Sequence, residues 1–336
     1  MAHRVTMADV AREAEVSLMT VSRVINDKEG VGPATRQQVW AVIDRLGYRP
    51  SGIARGLVTR RTGTLGLVVP DVANPFFAGV AQGVEHVAYA QGYHVFLCNT
   101  EEDPQRELAV LQSLDEKRVD GVILCSSRLG EKALQTCLTR HPAVVLVNRR
   151  LRDTAGNPLQ AVLIDDLTGG RLVTQHLLAG GHRAIGLLAG PATSHSGQQR
   201  FCGYQEVLVG AGIRPDPAWQ VSCVAKVEGG QRAALALLQA HPQLTALFCY
   251  NDLVAVGALQ ACAQLGRRVP QDLAVVGFDD IPLAALVTPP LTTCRVARSE
   301  LGIRAVRLLL DQIVGGSADC DEALLRPELV VRASAP

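Results

Sequence analysis

The stretch TMADVAREAEVSLMTVSRVIND, Thr6 to Asp27, predicts two short helices joined by a tight turn. Thr6 can cap the first helix, with Asp9 at its third position, and Ser17 can cap the second helix. Two helices this close together, each with its own capping residue, are typical of a helix-turn-helix. A third helix is predicted from Pro33 to the residue before Gly47, because proline is tolerated in a first turn and glycine often ends a helix.

The second helix has two faces of different character. Val21, Val24 and Ile25 recur at helical spacing and predict its buried face. Leu18 and Met19 then point into solvent, which is unusual for apolar side chains. In a helix-turn-helix the second helix enters the major groove of DNA, where the bases desolvate its outer face. We therefore predict a DNA-binding headpiece. The alternative is a plain three-helix bundle whose exposed apolar side chains have no function.

The charge of the chain is unevenly distributed. Residues 1–61 contain ten Lys and Arg residues against six Asp and Glu residues, a net charge of +4, whereas the other 275 residues carry a net charge of −3. A basic segment attached to a more acidic body is typical of a protein that binds a polyanion through one of its parts.

The composition excludes several classes of protein. With 336 residues, 48% of them hydrophobic and 19% charged, the chain is long enough for more than one globular domain. No apolar run approaches about 20 residues, so we expect no transmembrane helix. The first residues lack the apolar core of a signal peptide, so we expect a cytoplasmic protein. The nine cysteines form no CxxC pair, and we interpret them as reduced, mostly buried thiols rather than as disulfides or zinc ligands.

From Thr64 onward, short apolar runs alternate with amphipathic stretches, a pattern typical of βαβ units with parallel sheets. Two such sets follow one another, the first from Leu65 and the second from near Ile185. We predict two α/β lobes with a cleft between them, in which a ligand binds beyond the carboxyl ends of the strands. The predicted strands are TLGLVVP, YHVFLCN, GVILCS, AVVLVN, AIGLLAG, ALFCYN and LAVVGF.

Polar and aromatic side chains follow five of these strands. Amides, carboxylates and guanidinium groups can bind hydroxyl groups, and phenyl rings can cover the apolar faces of a sugar. Each residue alone is more simply explained as a helix cap or a loop ion pair, but their convergence at five strand ends favours a sugar site. The groups are Asn74 to Phe77, Asn148-Arg149-Arg150, Arg200, Asn251-Asp252 and Asp279-Asp280.

An enzyme is the main alternative class of protein. The first strand leads into PDVANPFF rather than GxGxxG, and the chain contains no P-loop, HExxH or nucleophile-elbow motif. Asp279 and Asp280 could form a catalytic carboxylate pair, but the Arg and Asn residues predicted near them suit binding better. We expect that the protein is not an enzyme and that it has no cofactor and no metal site. A stand-alone solute-binding protein would share the body but lack the headpiece.

The segments TMADVAREAEVSLMTVSRVIND and VGPATRQQVWAVIDRLGYRPSGIARGL closely resemble the headpiece of the LacI/GalR repressor family, and the resemblance continues through nearly the whole chain. It implies a multidomain protein with a helix-turn-helix headpiece over residues 1–50 and a hinge helix or linker over residues 51–61. Residues 62–336 would form a two-lobed α/β body like the type I periplasmic binding proteins. The implied first lobe covers about 62–163 and 294–323, and the second covers about 164–293 and 324–336.

The resemblance also implies how the headpiece contacts DNA. Leu18 and Met19 match the positions that select the operator, and Leu57 matches a wedge that opens the central base step from the minor groove. A plain flexible linker is the alternative to the hinge helix. The implied DNA-binding residues are Thr6, Ser17, Leu18, Met19, Thr20, Ser22, Arg23, Asn26, Tyr48, Ala54, Arg55 and Leu57.

For the body, the resemblance implies a repressor whose operator affinity depends on a bound monosaccharide or close derivative. The motifs NPFF, NTEEDPQRE and KRVDG favour the ribose-type branch. Three departures leave the effector open: Ala225 replaces an aromatic wall residue, Val296 a frequent Gln, and Asn148 a ribose-type Asp. A nucleobase, a sugar acid or a sugar phosphate is the alternative effector. The implied effector-binding residues are Asn74, Phe76, Phe77, Asn148, Arg149, Arg200, Asn251 and Asp279.

The last residues, RPELVVRASAP, contain no leucine heptads. A tetramer held by a carboxyl-terminal coiled coil is therefore not expected, and we predict a homodimer bound to a pseudo-palindromic operator.

Overall fold

The structure is a computed structural model that describes residues 5–49, 61–316 and 323–336. The chain divides into two compact units, Met1–Gly63 and Thr64–Pro336. Three of the predicted DNA-binding residues, Ala54, Arg55 and Leu57, lie outside the described residues.

The first unit begins with the helix-turn-helix that the sequence predicts. The Thr6 side chain accepts a hydrogen bond from the Asp9 backbone N–H, and the Asp9 carboxylate accepts one from the Thr6 N–H at 2.9 Å, which confirms the capping box. Ser17 Oγ accepts from the Thr20 N–H at 3.0 Å. Gly47 adopts the left-handed conformation, with φ of 62°, and ends the third helix. The helices are α1 (Met7–Glu13), α2 (Leu18–Ile25) and α3 (Pro33–Leu46).

One apolar cluster holds these three helices together. Val10 and Val21 are fully buried between them, and the Tyr48 ring, which follows α3, is 8% exposed in the same cluster. Because this burial comes from α1, α2 and α3 at once, the short helices stabilise each other although each alone would be marginal in water.

The described part of the second unit contains two six-stranded sheets. The first sheet is built from β1 (Thr64–Val69), β2 (His94–Asn99), β3 (Gly121–Cys125), β4 (Val144–Val147), β5 (Ala161–Ile164) and β11 (Ala323–Leu325). The second sheet is built from β6 (Ile185–Gly190), β7 (Gln220–Ser222), β8 (Ala246–Cys249), β9 (Ala274–Asp279), β10 (Thr292–Arg295) and β12 (Glu328–Val330).

The strand orders are β11-β5-β4-β3-β1-β2 and β12-β10-β9-β8-β6-β7, so the two sheets share one topology. All strand pairs are parallel except β10 with β12, which is antiparallel. The order reverses beside β1 in one sheet and beside β6 in the other. In sheets of this kind, the crevice at such a reversal is where ligands bind.

Each sheet forms one lobe with its helices, and the chain passes between the lobes more than once. The chain crosses from one sheet to the other after β5, after β10 and after β11. β5 ends at Ile164, and the predicted first lobe boundary after residue 163 lies beside it and stays a prediction. The predicted crossovers at residues 294 and 324 fall inside β10 and β11, because backbone pairing keeps each strand whole; the chain leaves the second sheet after Arg295 and the first after Leu325.

Close helix pairs complete each lobe. Gly83 lies on the helix Pro75–Ala90 and Gly302 on the helix Arg298–Ile313. A Cβ atom on Gly83 would lie 2.2 Å from the Ser299 carbonyl oxygen, and one on Gly302 would lie 2.1 Å from the Val80 carbonyl oxygen. These two helices therefore need glycine at both positions to pack this closely. The helices are α4 (Pro75–Ala90), α5 (Pro104–Glu116), α6 (Glu131–Leu138), α7 (Asp166–Ala179), α8 (His195–Gly210), α9 (Val227–Ala240), α10 (Asp252–Gln264), α11 (Pro282–Leu286) and α12 (Arg298–Ile313).

The eight cysteines within the described residues are free thiols, as predicted. Four of them are buried: Cys125, Cys249, Cys262 and Cys294. Within the ranges the structure describes, no helix is long and apolar enough to cross a membrane.

Candidate functional site

The outer face of α2 displays apolar side chains to solvent. Leu18 is 53% exposed and Met19 is 66% exposed, whereas Val21 and Val24 on the opposite face are buried. The predicted division of this helix into an inward and an outward face is therefore confirmed. An outward pair of large apolar side chains at the start of a second helix is a surface that base edges and methyl groups can cover.

The polar side chains of α2 are held by local hydrogen bonds. Thr20 Oγ1 lies 2.8 Å from Ser17 Oγ, and the Asn26 amide donates to the Ser22 carbonyl oxygen at 2.8 Å. Arg23 is exposed. These contacts fix side-chain rotamers before DNA binds, which lowers the entropy lost in a complex.

Two other predicted DNA-binding residues have structural roles in the headpiece. Thr6 caps α1, and Tyr48 packs its ring into the core. A contact between either residue and DNA stays a prediction.

In the second unit, seven of the eight predicted effector-binding residues line one cavity between the lobes. It is narrow and partly open to solvent. The walls come from both sheets, at the strand ends beside β1, β3, β6 and β8, where the strand orders reverse. The seven residues are Asn74, Phe76, Phe77, Asn148, Arg200, Asn251 and Asp279.

The backbone turns sharply where strands reach this cavity. Ser126 after β3, Asn148 after β4 and Asp279 at the end of β9 have φ values of 48°, 57° and 105°. Residues other than glycine rarely adopt such angles, and the strain they cost tends to occur at functional sites. All three residues line the cavity.

Two of the asparagines are helix caps as well as cavity residues. Asn74 Oδ1 accepts from the Phe76 N–H at 3.0 Å, and Asn251 Oδ1 accepts from the Val254 N–H at 2.9 Å. The capping alternative to ligand binding is thus correct, but it does not exclude binding. With the oxygen committed to the helix, the amide NH₂ remains as the donor toward a ligand.

Arg200 is the most constrained polar side chain of the cavity. Its Nε donates to Asp166 Oδ1 at 2.8 Å, its Nη2 lies 3.8 Å from Asp279 Oδ1, and its Nη1 donates to the Tyr250 carbonyl oxygen. The guanidinium carbon lies 3.5 Å from the centre of the Phe278 ring. Ion pairs and ring stacking hold this planar group in one orientation, from which it can offer paired donors.

The pKa values of two adjacent carboxyl groups, one at the end of β9 and one directly after it, are shifted in opposite directions. Burial raises the pKa of Asp279 to about 7, against the opposing effect of Arg200. Burial also acts to raise the pKa of Asp280, but hydrogen bonds from Arg295 and Arg332 outweigh it and lower that pKa. Only Asp279 lines the cavity, so near neutral pH its carboxyl group can both donate and accept hydrogen bonds.

The eighth predicted residue, Arg149, is absent from the cavity lining. Its guanidinium donates to the Leu129 carbonyl oxygen at 3.4 Å instead. The prediction missed five polar cavity residues. They follow strands or begin a helix, and the same strand-end argument could have found Ser126, Arg128 and Tyr250. The five are Glu102, Ser126, Arg128, Ser196 and Tyr250.

Ser196 is the most informative of these additions. Its hydroxyl is buried and has no hydrogen-bond partner in the structure. Because buried hydroxyl groups almost always have a partner, an unpaired one in a cavity wall indicates a group that a ligand would satisfy.

Comparison with known proteins identifies both units. The family model described as "Bacterial regulatory proteins, lacI family" matches residues 6–51, and "Periplasmic binding proteins and sugar binding domain of LacI family" matches residues 62–327. The chain belongs to the LacI family. This LacI-family protein is therefore a DNA-binding transcriptional repressor with a ligand-binding body, and the prediction that it is not an enzyme is confirmed.

Named relatives of this LacI-family chain include two kinds of repressor. It is 37% identical to the HTH-type transcriptional repressor PurR of Aliivibrio fischeri over 333 residues, covering 98% of each chain. It is also 37% identical to the ribose operon repressor of Halalkalibacterium halodurans over 327 residues, covering 97% of this chain and 96% of that one. Among solved structures, the lac repressor dimer bound to operator and the anti-inducer ONPF has a TM-score of 0.85 at 27% identity, with 99% of both chains covered.

Proposed function

We propose that this repressor acts as a homodimer on a pseudo-palindromic operator and that an uncharged monosaccharide, bound between the lobes, changes its operator affinity. The balanced charge of the cavity is the observation that carries the choice of ligand. Because its target is the chromosome, we place the protein in the cytoplasm.

Each arginine of the cavity is paired with a carboxylate. Arg200 pairs with Asp166, and Arg128 pairs with Glu102 through both its Nε and its Nη2, the latter at 3.2 Å. A sugar acid or sugar phosphate would need an unpaired positive charge in the cavity, whereas both arginines already pair with carboxylates. Paired charges beside amides and hydroxyls suit a ligand that offers only hydroxyl groups.

A nucleobase is the second candidate effector, and the relative named PurR favours it. A flat base is held best between two parallel apolar walls. Phe76 and Phe77 stand at 90° to each other, with ring centres 5.0 Å apart, and on the second lobe the wall position is the small Ala225. This geometry offers two differently oriented apolar surfaces, which suit a puckered sugar ring better than a flat base.

The edge strand β2 supports the homodimer. Phe96 is 44% exposed and Leu97 is 47% exposed along an edge that, among the described residues, pairs only on its β1 side. An apolar edge strand is a liability for a monomer, and a second copy of the chain would cover it. We expect Leu97→Glu to shift the protein from dimer to monomer in analytical ultracentrifugation; an unchanged dimer would place the interface elsewhere.

On the DNA side, we propose that Leu18 and Met19 select the operator, and that Thr20, Ser22, Arg23 and Asn26 position α2 on it. Replacing the proposed wedge, Leu57, with Ala should weaken operator binding without abolishing ligand binding. Fluorescence anisotropy with operator DNA measures this effect, and unchanged affinity would remove the wedge assignment.

The effector class can be tested by thermal shift with ribose, hexoses, sugar acids and nucleobases. We expect only uncharged sugars to raise the melting temperature, because ligands that bind the native state alone stabilise it. Ser196→Ala should reduce the rise, whereas Ser222→Ala, at an exposed strand position, should not. A rise caused by nucleobases alone would contradict the sugar proposal.

A further inference from the structure

Residues 26–32 form the loop that joins α2 to α3, and one side chain of α3 holds this loop in place. Arg36 Nη1 donates to Asp27 Oδ1 at 2.7 Å, Nη2 donates to the Lys28 carbonyl oxygen, and Nε donates to the Val31 carbonyl oxygen at 3.4 Å. Three acceptors of one loop thus converge on a single guanidinium group. A planar group with five N–H donors can bind all three at once, which an ammonium group cannot match.

The two backbone acceptors contribute most to this hold. The Asp27 side chain is 96% exposed, and solvent-exposed ion pairs stabilise a structure little. The two carbonyl groups cannot move without moving the loop, and hydrogen bonds from a charged donor are stronger than those between neutral groups. Arg36 therefore fixes the loop backbone at Lys28 and Val31, rather than one exposed side chain.

The loop in turn lies beside Arg23, one of the α2 residues proposed to position that helix on the operator. The Lys28 N–H donates to the Arg23 carbonyl oxygen at 2.9 Å, so the loop is joined directly to the end of α2. Gly30 has a φ of 92°, and a Cβ atom there would lie 3.3 Å from Arg23 Nη1. Glycine permits this turn and leaves room for the guanidinium group, which the loop backbone then limits on one side.

We propose that Arg36 is a positioning residue for operator recognition, which fixes the loop of residues 26–32 and, through it, the Arg23 guanidinium group. The proposal rests on the proposed role of Arg23 at the operator. A guanidinium group that is held in place loses less entropy when it binds. Its position matters for contacts with one particular DNA sequence and little for non-specific attraction to phosphates. Arg36 thus increases the preference for the operator without contacting DNA itself.

Two DNA probes separate this role from a direct contact. The first is the duplex that the full-length protein selects from a random pool, and the second has the same base composition in shuffled order. Fluorescence anisotropy measures the affinity for both. Arg36→Lys keeps the positive charge but cannot bind three acceptors at once. We expect it to weaken binding of the selected duplex by about 5- to 30-fold. Binding of the shuffled duplex should change by less than about 2-fold, because the charge is unchanged.

Arg45→Lys is the matched control in the same helix. Arg45 Nη2 lies 2.7 Å from Glu13 Oε1 of α1, in an exposed ion pair, so this change should leave the binding of both duplexes unaltered. Urea unfolding followed by Trp40 fluorescence, in a Trp219→Phe background, reports the folding of the headpiece in each variant. A loss of folding is then not counted as a loss of recognition.

Arg23→Leu separates this proposal from the one on which it rests. If Arg23→Leu weakens binding of the selected duplex and Arg36→Lys does not, the role of Arg23 stands and the positioning role of Arg36 is wrong. Equal losses on both duplexes from Arg36→Lys would also contradict that role, because they would indicate that Arg36 itself contacts DNA. Unchanged binding by Arg23→Leu would contradict the role of Arg23 and, with it, this proposal.

Discussion

The outer face of α2 and the cavity between the lobes are the two proposed recognition sites, and they are built in opposite ways. On α2, Leu18 and Met19 are exposed side chains of one short helix. In the cavity, Arg200 and Asp279 are each 5% exposed and engaged with side chains from distant parts of the chain. A surface that reads DNA can be changed with little effect on folding, whereas a buried cavity couples ligand binding to stability.

Replacing one arginine in each region gives the largest expected contrast. Arg200→Leu leaves Asp166 and Asp279 buried without their partner and should lower the free energy of unfolding of the body by about 3 to 5 kcal/mol. Arg23→Leu, at an exposed position, should change stability by no more than about 0.5 kcal/mol while weakening operator binding.

The two tryptophans allow this contrast to be measured, because Trp40 lies in the headpiece and Trp219 in the body. Urea unfolding followed by Trp219 fluorescence in a Trp40→Phe background reports the body, and Trp40 fluorescence in a Trp219→Phe background reports the headpiece. Equal losses from the Arg200 and Arg23 substitutions would show that burial does not separate the two regions.

A second prediction concerns pH. Because the pKa of Asp279 is raised to about 7 in the folded state, the folded protein holds a proton that the unfolded chain has lost above about pH 4. The stability contributed by this group is present at low pH and declines as the pH rises toward 7. Wild type should therefore lose about 2 kcal/mol of unfolding free energy between pH 5 and 7 that Asp279→Asn does not lose.

Asp280→Asn is the control for this pH dependence. The pKa of Asp280 is lowered, so its contribution disappears only as the pH falls below about 4, outside the measured window. Denaturant titrations at pH 5, 6 and 7 should give the wild-type slope for Asp280→Asn and a flatter slope for Asp279→Asn. The same slope for both variants would contradict the role of burial at Asp279.

The same contrast between local and long-range contacts explains which features could be predicted from the sequence. All seven predicted strands and the three headpiece helices are present, because each depends on periodicity and caps within one segment. The strands that were missed, β5, β7, β10, β11 and β12, are three or four residues long. Length alone does not explain the misses, because β4 and β8, which were predicted, also have four residues. Strand ends predicted most of the cavity, since parallel topology brings them together.

Details that depend on pairing between distant segments could not be predicted. Arg149 and Arg128 are both Arg residues shortly after a strand, and nothing local shows which one faces the cavity. The answer depends on Glu102 and Glu107, whose carboxylates hold the Arg128 loop. The opposite pKa shifts of Asp279 and Asp280 likewise depend on Arg295 and Arg332, which lie on other parts of the second lobe.

The smallest expected change in stability comes from Leu18 and Met19, the pair proposed to select the operator. Leu18→Ala and Met19→Ala should each alter the unfolding free energy by less than about 0.5 kcal/mol, since both side chains are exposed. They should nevertheless change which sequences are selected from a random DNA pool. Unaltered selection by both variants would show that these residues do not choose the operator.

Coupling between the two regions is the central claim, and thermodynamic reciprocity offers its most direct test. The measurement is calorimetric titration of the full-length protein with the sugar that gives the largest thermal shift, first alone and then saturated with its selected operator. We predict that operator changes the sugar affinity by about 5- to 150-fold, the same factor by which sugar changes operator affinity. Identical sugar affinity with and without operator would contradict the account.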